Sequence, residues 1–327
     1  MRSGYHPLKK KGALEPPPDV TLCMVTFIPF LSGYFEQSLE VLRLSLESLW
    51  QNTPQPYDLM IFDNASCAEV RQYLLEQHED GKIQYLFLSD KNVGLPGAWN
   101  ALFRAAPGKI VAYADSDVFF YPGWLEAHLK VLQAYPQAGM VTGTPFRARP
   151  ELVTRTIEWV DRTEGVTIQK GQLQDWEAFW THTRSLGVTE AEGREQYERG
   201  EDILLEYQGV PAFVGASHFQ YVSPRAALNA VAPFPYVMPM GNELYLDEKM
   251  NDLGYLRLSL TQIFVRHMGN RLSPEFISED RSWKDRTAPP AGPERSRGWY
   301  RLFDFAPLKK ILLFIHTKIF QLYYVRK

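Results

Sequence analysis

This chain of 327 residues has only two cysteines, Cys23 and Cys67. Two scattered thiols exclude a disulfide framework and a zinc knuckle, and they suit a reducing compartment. Positive charge is also short. Thirty-five Lys and Arg stand against 38 Asp and Glu, a formal net charge of −3, which argues against a general nucleic-acid binder. An anionic ligand would then need local help, such as a cation. No stretch approaches the roughly 18 uncharged apolar residues of a spanning helix. The first residues carry basic side chains but no apolar run behind them, so they do not read as a secretory signal. Pro16-Pro17-Pro18 makes residues 1–18 an extended or flexible leader. These absences together predict a cytoplasmic protein. With 45% hydrophobic and 22% charged residues, the chain has material for a sizeable core.

From Val20 onward, short apolar runs alternate with helical periodicities. "VTLCMVTF" reads as a strand; "YFEQSLEVLRLSLESLW", with Leu39, Leu42, Leu46 and Leu49 on one stripe, reads as a helix. "YDLMIFDNAS", "IQYLFLSD" and "GKIVAYADSD" read as strands two to four, with helices over "AEVRQYLLEQHE" and "GLPGAWNALFRAA" between them. Such alternation predicts βαβ crossovers and an α/β fold with a mostly parallel, Rossmann-like central sheet flanked by helices. Ligands in such sheets bind beyond the carboxyl ends of the strands. Thr26, Asp63, Asn64, Asp90 and the Asp115/Asp117 pair fall at those ends.

The middle segment, Arg147 to Gln208, is more charged and aromatic, and "DWEAFWTH" and "TEAEGREQYERGEDILLEY" read as exposed helices. Beyond it, "GVPAFVGASHFQYVSPRAAL" reads as a strand then a helix. "NELYLDEKMNDLGY" reads as a helix closed by Gly254, and "RLSLTQIFVRHMGN" as a last strand. The composition of "SEDRSWKDRTAPPAGPERSRGW" marks a linker. "PLKKILLFIHTKIFQLYYVRK" carries an apolar stripe with flanking lysines. Residues 308–327 are therefore expected to form a C-terminal amphipathic helix lying peripherally on an anionic bilayer, or packed on the body or a second subunit.

Several motifs could carry chemistry. Asp115-Ser116-Asp117 places two carboxylates at a strand exit, where they can share a hard cation such as Mg²⁺ or Mn²⁺ completed by phosphate oxygens. The pair alone is equally a solvated turn; its position favours the metal. Asp63 and Asn64 can accept from a base or sugar hydroxyls, or serve as turn and N-cap residues. "DKNVGLPGAWN" offers Gly94 and Gly97 for close backbone approach, with Asn92 and Asn100 as polar contacts, though it matches no P-loop or dinucleotide pattern. Glu243 and Asp247 share a helix face at i, i+4, beside Glu248; a carboxylate there could take a hydroxyl proton or simply face solvent. His267, at another strand exit, could ligate a metal or touch a phosphate, and His218 is the next histidine of interest.

Taken in order, these pieces resemble glycosyltransferase family 2, with the GT-A fold, from about Val20 to Asn270. The signatures are "VTLCMVTF", "IFDNAS", "NVGLPGAWNALFRAA", "VAYADSDVFFYPGWLE" and "NELYLDEKMNDLGY…VRHMGN". The family's Glu-Asp pair stands here as Asn242-Glu243, counted back from Gly254, so a glutamate holds the base position and Asp247 or Glu248 remain alternatives. The resemblance implies a catalytic domain over 19–272, with a nucleotide-sugar-binding half at 19–145 and an acceptor-binding half at 146–272, then a linker and tail over 273–327. It implies a metal-dependent, inverting hexosyltransferase-type enzyme. Asp115, Asp117 and His267 would hold Mn²⁺ or Mg²⁺ against the diphosphate. Thr26, Asp63, Asn64, Asp90, Asn92, Gly94, Asn100, Asp115 and Ser116 would line the donor, Trp99 or the Thr26 loop would wall its pocket, and Glu243 would act as base. The donor would be a nucleotide sugar, UDP-linked first, GDP- or dTDP-linked next. The acceptor would be a sugar, lipid-linked or other hydroxyl, in polysaccharide, glycolipid or glycoconjugate synthesis. Two rivals remain: a Mg²⁺-dependent phosphohydrolase with an aspartyl nucleophile, which "DSDV" also fits, and a non-catalytic nucleotide-sugar binder.

Overall fold

The structure, a computed structural model, describes residues 14–147, 149–236, 243–273 and 276. Most of the expected leader and the whole of the expected helix 308–327 lie outside the described residues. The described residues up to Leu272 belong to one compact unit.

Along the chain come β1 (Val20–Thr26), α1 (Ser38–Asn52), β2 (Asp58–Asn64), α2 (Ala68–Glu79), β3 (Tyr85–Ser89), α3 (Gly94–Ala105) and β4 (Ile110–Asp115). Next are β5 (Val118–Phe120), α4 (Trp124–Ala134), β6 (Ala138–Thr142), α5 (Thr154–Arg162), β7 (Thr167–Gly171), α6 (Trp176–Ser185) and α7 (Glu190–Arg199). The series ends with β8 (Asp202–Tyr207), β9 (Val210–Val214), β10 (Gln220–Pro224), α8 (Arg225–Val231), α9 (Glu243–Asp252), β11 (Leu256–Ser259) and β12 (Val265–His267).

Ten strands form one sheet in the order β3-β2-β1-β4-β10-β6-β11-β9-β8-β7, while β12 and β5 form a separate ribbon. The first four strands are mutually parallel. β10 inserts antiparallel between β4 and β6, β11 runs parallel to β6, and β9, β8 and β7 continue as an antiparallel meander.

The apolar runs at β1, β2 and β4 are continuous because both faces of those strands are covered. Side chains alternate across the sheet. Leu22, Met24, Leu59, Ile61, Ala112 and Ala114 join one core with Leu42 and Leu46 of α1, Leu74 of α2 and Trp124 of α4. Cys23, Val25, Met60, Phe62, Val111 and Tyr113 join the opposite core with Phe103 of α3, Leu228 of α8 and Met250 of α9. A third core, including Tyr135, Val141, Leu205 and Leu258, underlies the meander.

Three sequence expectations need correction. "DILLEY", read as the end of an exposed helix, is β8: Leu205 is buried and Asp202 is neutralised by Arg147, so the acidic flanks hid a strand. "GVPAFVGASHFQYVSPRAAL" holds two strands, β9 and β10, before α8. "RLSLTQIFVRHMGN" is broken after Ser259, so that β11 joins the large sheet and β12 pairs with β5.

Candidate active site

Strand register builds the ligand edge. Thr26 of β1 lies opposite Asp63 of β2, and Val25, one residue earlier and on the other face, lies opposite Asp115 of β4, so three polar residues form a row of strand ends at one edge of the sheet. The Thr26 hydroxyl is buried without a hydrogen-bond partner. Asp63 is 0% exposed. Its Oδ2 accepts from Arg71 Nε at 2.9 Å and its Oδ1 from the Ser66 amide at 3.1 Å. Ala65 sits between them at φ 69°, a left-handed conformation uncommon outside glycine, which turns the chain back toward Asp63. Arg71 also reaches the Ser89 carbonyl and Asp90, whose side chain is 98% exposed.

Asn64 and Asn92 hold the next loop closed. Asn64 Nδ2 donates to Asn92 Oδ1 at 3.0 Å, and Asn64 Oδ1 accepts from the Val93 amide at 2.8 Å. Asn92 Oδ1 also accepts from the amide of Gly94, which opens α3 at φ 71°, a conformation that glycine adopts without strain. Asn100 lies away from this row and is spent on both backbone groups of Phe234. Trp99 is buried among Phe103, Tyr113 and Phe234, which makes it core rather than a pocket wall.

The acidic pair is set by two neighbours. Tyr113 donates its hydroxyl to Asp115 Oδ1 at 2.6 Å; burial, and then the Asp115 charge, push this phenol well above its usual value, so it stays a donor. Ser116 turns the chain, half-buried, between the two aspartates. The β5–β12 ribbon pairs His267 with Val118 and brings the ring to Asp117, with Nε2 3.2 Å from Oδ2. Met268 donates its amide to the Asp117 carbonyl. Burial by itself would lower the His267 imidazolium, but Asp117, by charge and hydrogen bond, and then Asp115 outweigh it and hold the pKa above the usual value. Asp117 Oδ1 is buried and has no hydrogen-bond partner.

That unpartnered oxygen beside a second carboxylate fits a hard divalent cation, for which oxygen donors are preferred. Among the described residues no group of three His, Cys, Asp or Glu side chains converges as a ready-made metal cage. Two carboxylates would therefore need oxygens of a ligand to complete the coordination, which is how Mg²⁺ commonly binds.

Asp247 of α9 is 3% exposed, and two partners meet on one of its oxygens. Arg257 Nη2 of β11 donates to its Oδ1 at 2.5 Å, and His218 Nε2 lies 2.8 Å from the same oxygen. Arg257, 1% exposed, also donates to the Ala216 carbonyl; burial lowers its pKa while Asp247 opposes that loss. Glu248 faces solvent. Glu243 is the first residue of α9, but its side chain lies outside the described residues. Between Asp115 and Asp247 stands Tyr221, fully buried, with no partner for its hydroxyl. Burial, Cys23 and both aspartates push its pKa up.

Sequence reasoning missed Arg71, Tyr113, Ser185 and Arg257. Arg257 alone had a legible signal, a cation inside the apolar run "LRLSL".

An uncharacterized glycosyltransferase from Rickettsia bellii is 28% identical over 89 residues, 27% of this chain and 13% of that protein. Another, from Nostoc sp., is 28% identical over 102 residues, 31% of each chain. The matched stretch thus spans less than a third of these curated relatives. Among solved structures, the mannosyltransferase PcManGT from Pyrobaculum calidifontis, in complex with GDP-Man and Mn²⁺, aligns with a TM-score of 0.43 at 16% identity, covering 78% of this chain and 58% of that one. The description "Glycosyl transferase family 2" matches residues 33–186, from the β1–α1 loop through the acidic pair to the end of α6. Over those residues, close to half of its length, the chain is similar to glycosyl transferase family 2.

Proposed function

We propose that this protein transfers a sugar from a nucleotide diphosphate sugar to an acceptor hydroxyl, with inversion at the anomeric carbon and with Mn²⁺ or Mg²⁺ held by Asp115 and Asp117. The observation that carries this reading is the buried, unpartnered Asp117 Oδ1 next to Asp115 at the carboxyl end of the sheet. Such an oxygen is costly unless a ligand or ion completes it, and this edge is where open α/β sheets take ligands. The cation, when bound, would supply charge neutralisation for the departing diphosphate.

The protein's own groups have separate tasks. Tyr113 orients Asp115, and His267 orients Asp117 or the diphosphate beside it. Thr26 offers an unpartnered hydroxyl to the donor. Asp63 and Asn64, with Asp90, Asn92, Gly94 and Ser116, would shape the nucleotide pocket. Glu243, opening α9, would take the acceptor proton. Asp247 is a poorer candidate, because it is nearly sealed from solvent and its Oδ1 is already taken by Arg257 and His218. The middle segment, residues 147–208, would recognise the acceptor.

The test is a panel of nucleotide sugars, UDP-linked first, with and without Mn²⁺, read by thermal stabilisation and then by product analysis. A productive donor stabilises the native state only with the cation. Glu243→Gln is expected to keep that stabilisation and lose turnover; unchanged turnover removes Glu243 from the mechanism. Phosphate release from simple phosphoesters without sugar transfer would overturn the transferase reading.

A further inference from the structure

We infer that Ser185 is a positioning residue that locks the His267 ring onto Asp117 and thereby ties α6, within the middle segment, to the acidic pair. The inference rests on the function proposed above for its catalytic meaning, but its geometry stands separately. His267 Nδ1 lies 2.9 Å from Ser185 Oγ, while Nε2 faces Asp117. Ser185 Oγ lies 2.6 Å from the His182 carbonyl, its own acceptor one turn back on α6, so the hydroxyl proton goes to that carbonyl and the oxygen accepts from Nδ1–H. Both ring nitrogens are then directed, and turning the ring over would lose both bonds at once.

The packing around the ring reinforces this. Phe219 meets His267 edge-on, with centroids 5.6 Å apart, and His182 stacks on the same Phe219 at 5.1 Å. His182 and Ser185, three residues apart, share one face of α6. That face touches the ring that touches Asp117, so a displacement of α6 on acceptor binding would be transmitted to the carboxylate through two hydrogen bonds.

The experiment uses the full chain with ¹⁵N-labelled histidine. The His267 signals, assigned through His267→Gln, are compared in wild type, Ser185→Ala, Ser185→Thr and the exposed control Leu186→Ala. Binding of Mn²⁺ alone is measured in parallel by electron paramagnetic resonance. Ser185→Ala is expected to shift the His267 Nδ1 signal and weaken Mn²⁺ binding about 5-fold, the loss of one hydrogen bond. Ser185→Thr, which keeps the hydroxyl, and Leu186→Ala are expected to behave as wild type. Should Ser185→Ala fold poorly, Ser185→Cys, nearly isosteric and a weak acceptor, carries the same expectation. An unchanged Nδ1 signal without the hydroxyl, or no rescue by threonine, overturns the inference. Failure of the wild type to transfer sugar would overturn the function instead and leave these spectra as they are.

Discussion

The strand-exit aspartates, of which Asp115 acts on the buried Tyr221, and Asp247 of α9, which acts on the same phenol, have opposite surroundings. Asp117 keeps an oxygen without a partner and leans on a half-buried histidine. Asp247 has an arginine and a histidine on one oxygen and is nearly sealed from solvent. Under the function proposed above, the difference separates a carboxylate held for a ligand from one that holds the fold. It also explains why helix spacing could not choose among Glu243, Asp247 and Glu248: the deciding partner, Arg257, comes from another element.

The comparison is broken most directly by crossing the two sites. Arg257→Ala strands the buried Asp247 charge and is expected to destabilise by about 3–5 kcal/mol in urea unfolding. Asp117→Asn is expected to cost less than about 1.5 kcal/mol of stability yet to lower transfer on the order of 10³-fold, because it removes a charge used at the transition state. Equal stability losses in the two variants would erase the distinction drawn between them.

A smaller effect concerns the histidine beneath the sheet rather than those at its edge. Buried His128 donates Nδ1–H to the Trp124 carbonyl, and its Nε2 lies 3.2 Å from the Gln220 amide nitrogen, so the ring is neutral. Burial lowers its pKa to about 4. The unfolded chain takes up this proton near the ordinary value of 6.5, before the folded chain does. Stability is therefore full above that pH and is lost as pH falls through the window from 6.5 to about 4, by roughly 3 kcal/mol in total. Urea midpoints measured across this window should fall with acidity, and His128→Asn should flatten the slope.

The smallest effect separates the middle segment from both. α7 begins with a capping box in which Thr189 accepts from the Glu192 amide and the Glu192 side chain returns to the Thr189 amide. Thr189→Ala is expected to cost about 1 kcal/mol, visible as faster amide exchange confined to α7, with Mn²⁺ binding unchanged.

The parallel half of the sheet was legible because its strands are buried on both faces, so β1, β2 and β4 read as apolar runs ending in polar residues. Those endings also marked Thr26, Asp63 and the acidic pair. The meander was less legible: β8 is announced by "GED", acidic residues that in sequence suggest solvent, but Asp202 is buried against Arg147, the Leu173 and Gln174 amides and the Gln174 side chain. Asn100 failed differently, since a polar residue at a helix entry looks like a ligand contact until Phe234, far along the chain, is seen to take both of its amide groups.

The sequence by itself determined the strand–helix rhythm and the carboxylates at the strand ends, because periodicity and chain punctuation are local properties. Only the tertiary structure decided which of those carboxylates is satisfied. That depends on cations and hydroxyls delivered from distant segments: Arg71 and Tyr113 from nearby elements, Arg257 across the sheet, and His267 with Ser185 from a ribbon and a helix that meet only when the chain has folded.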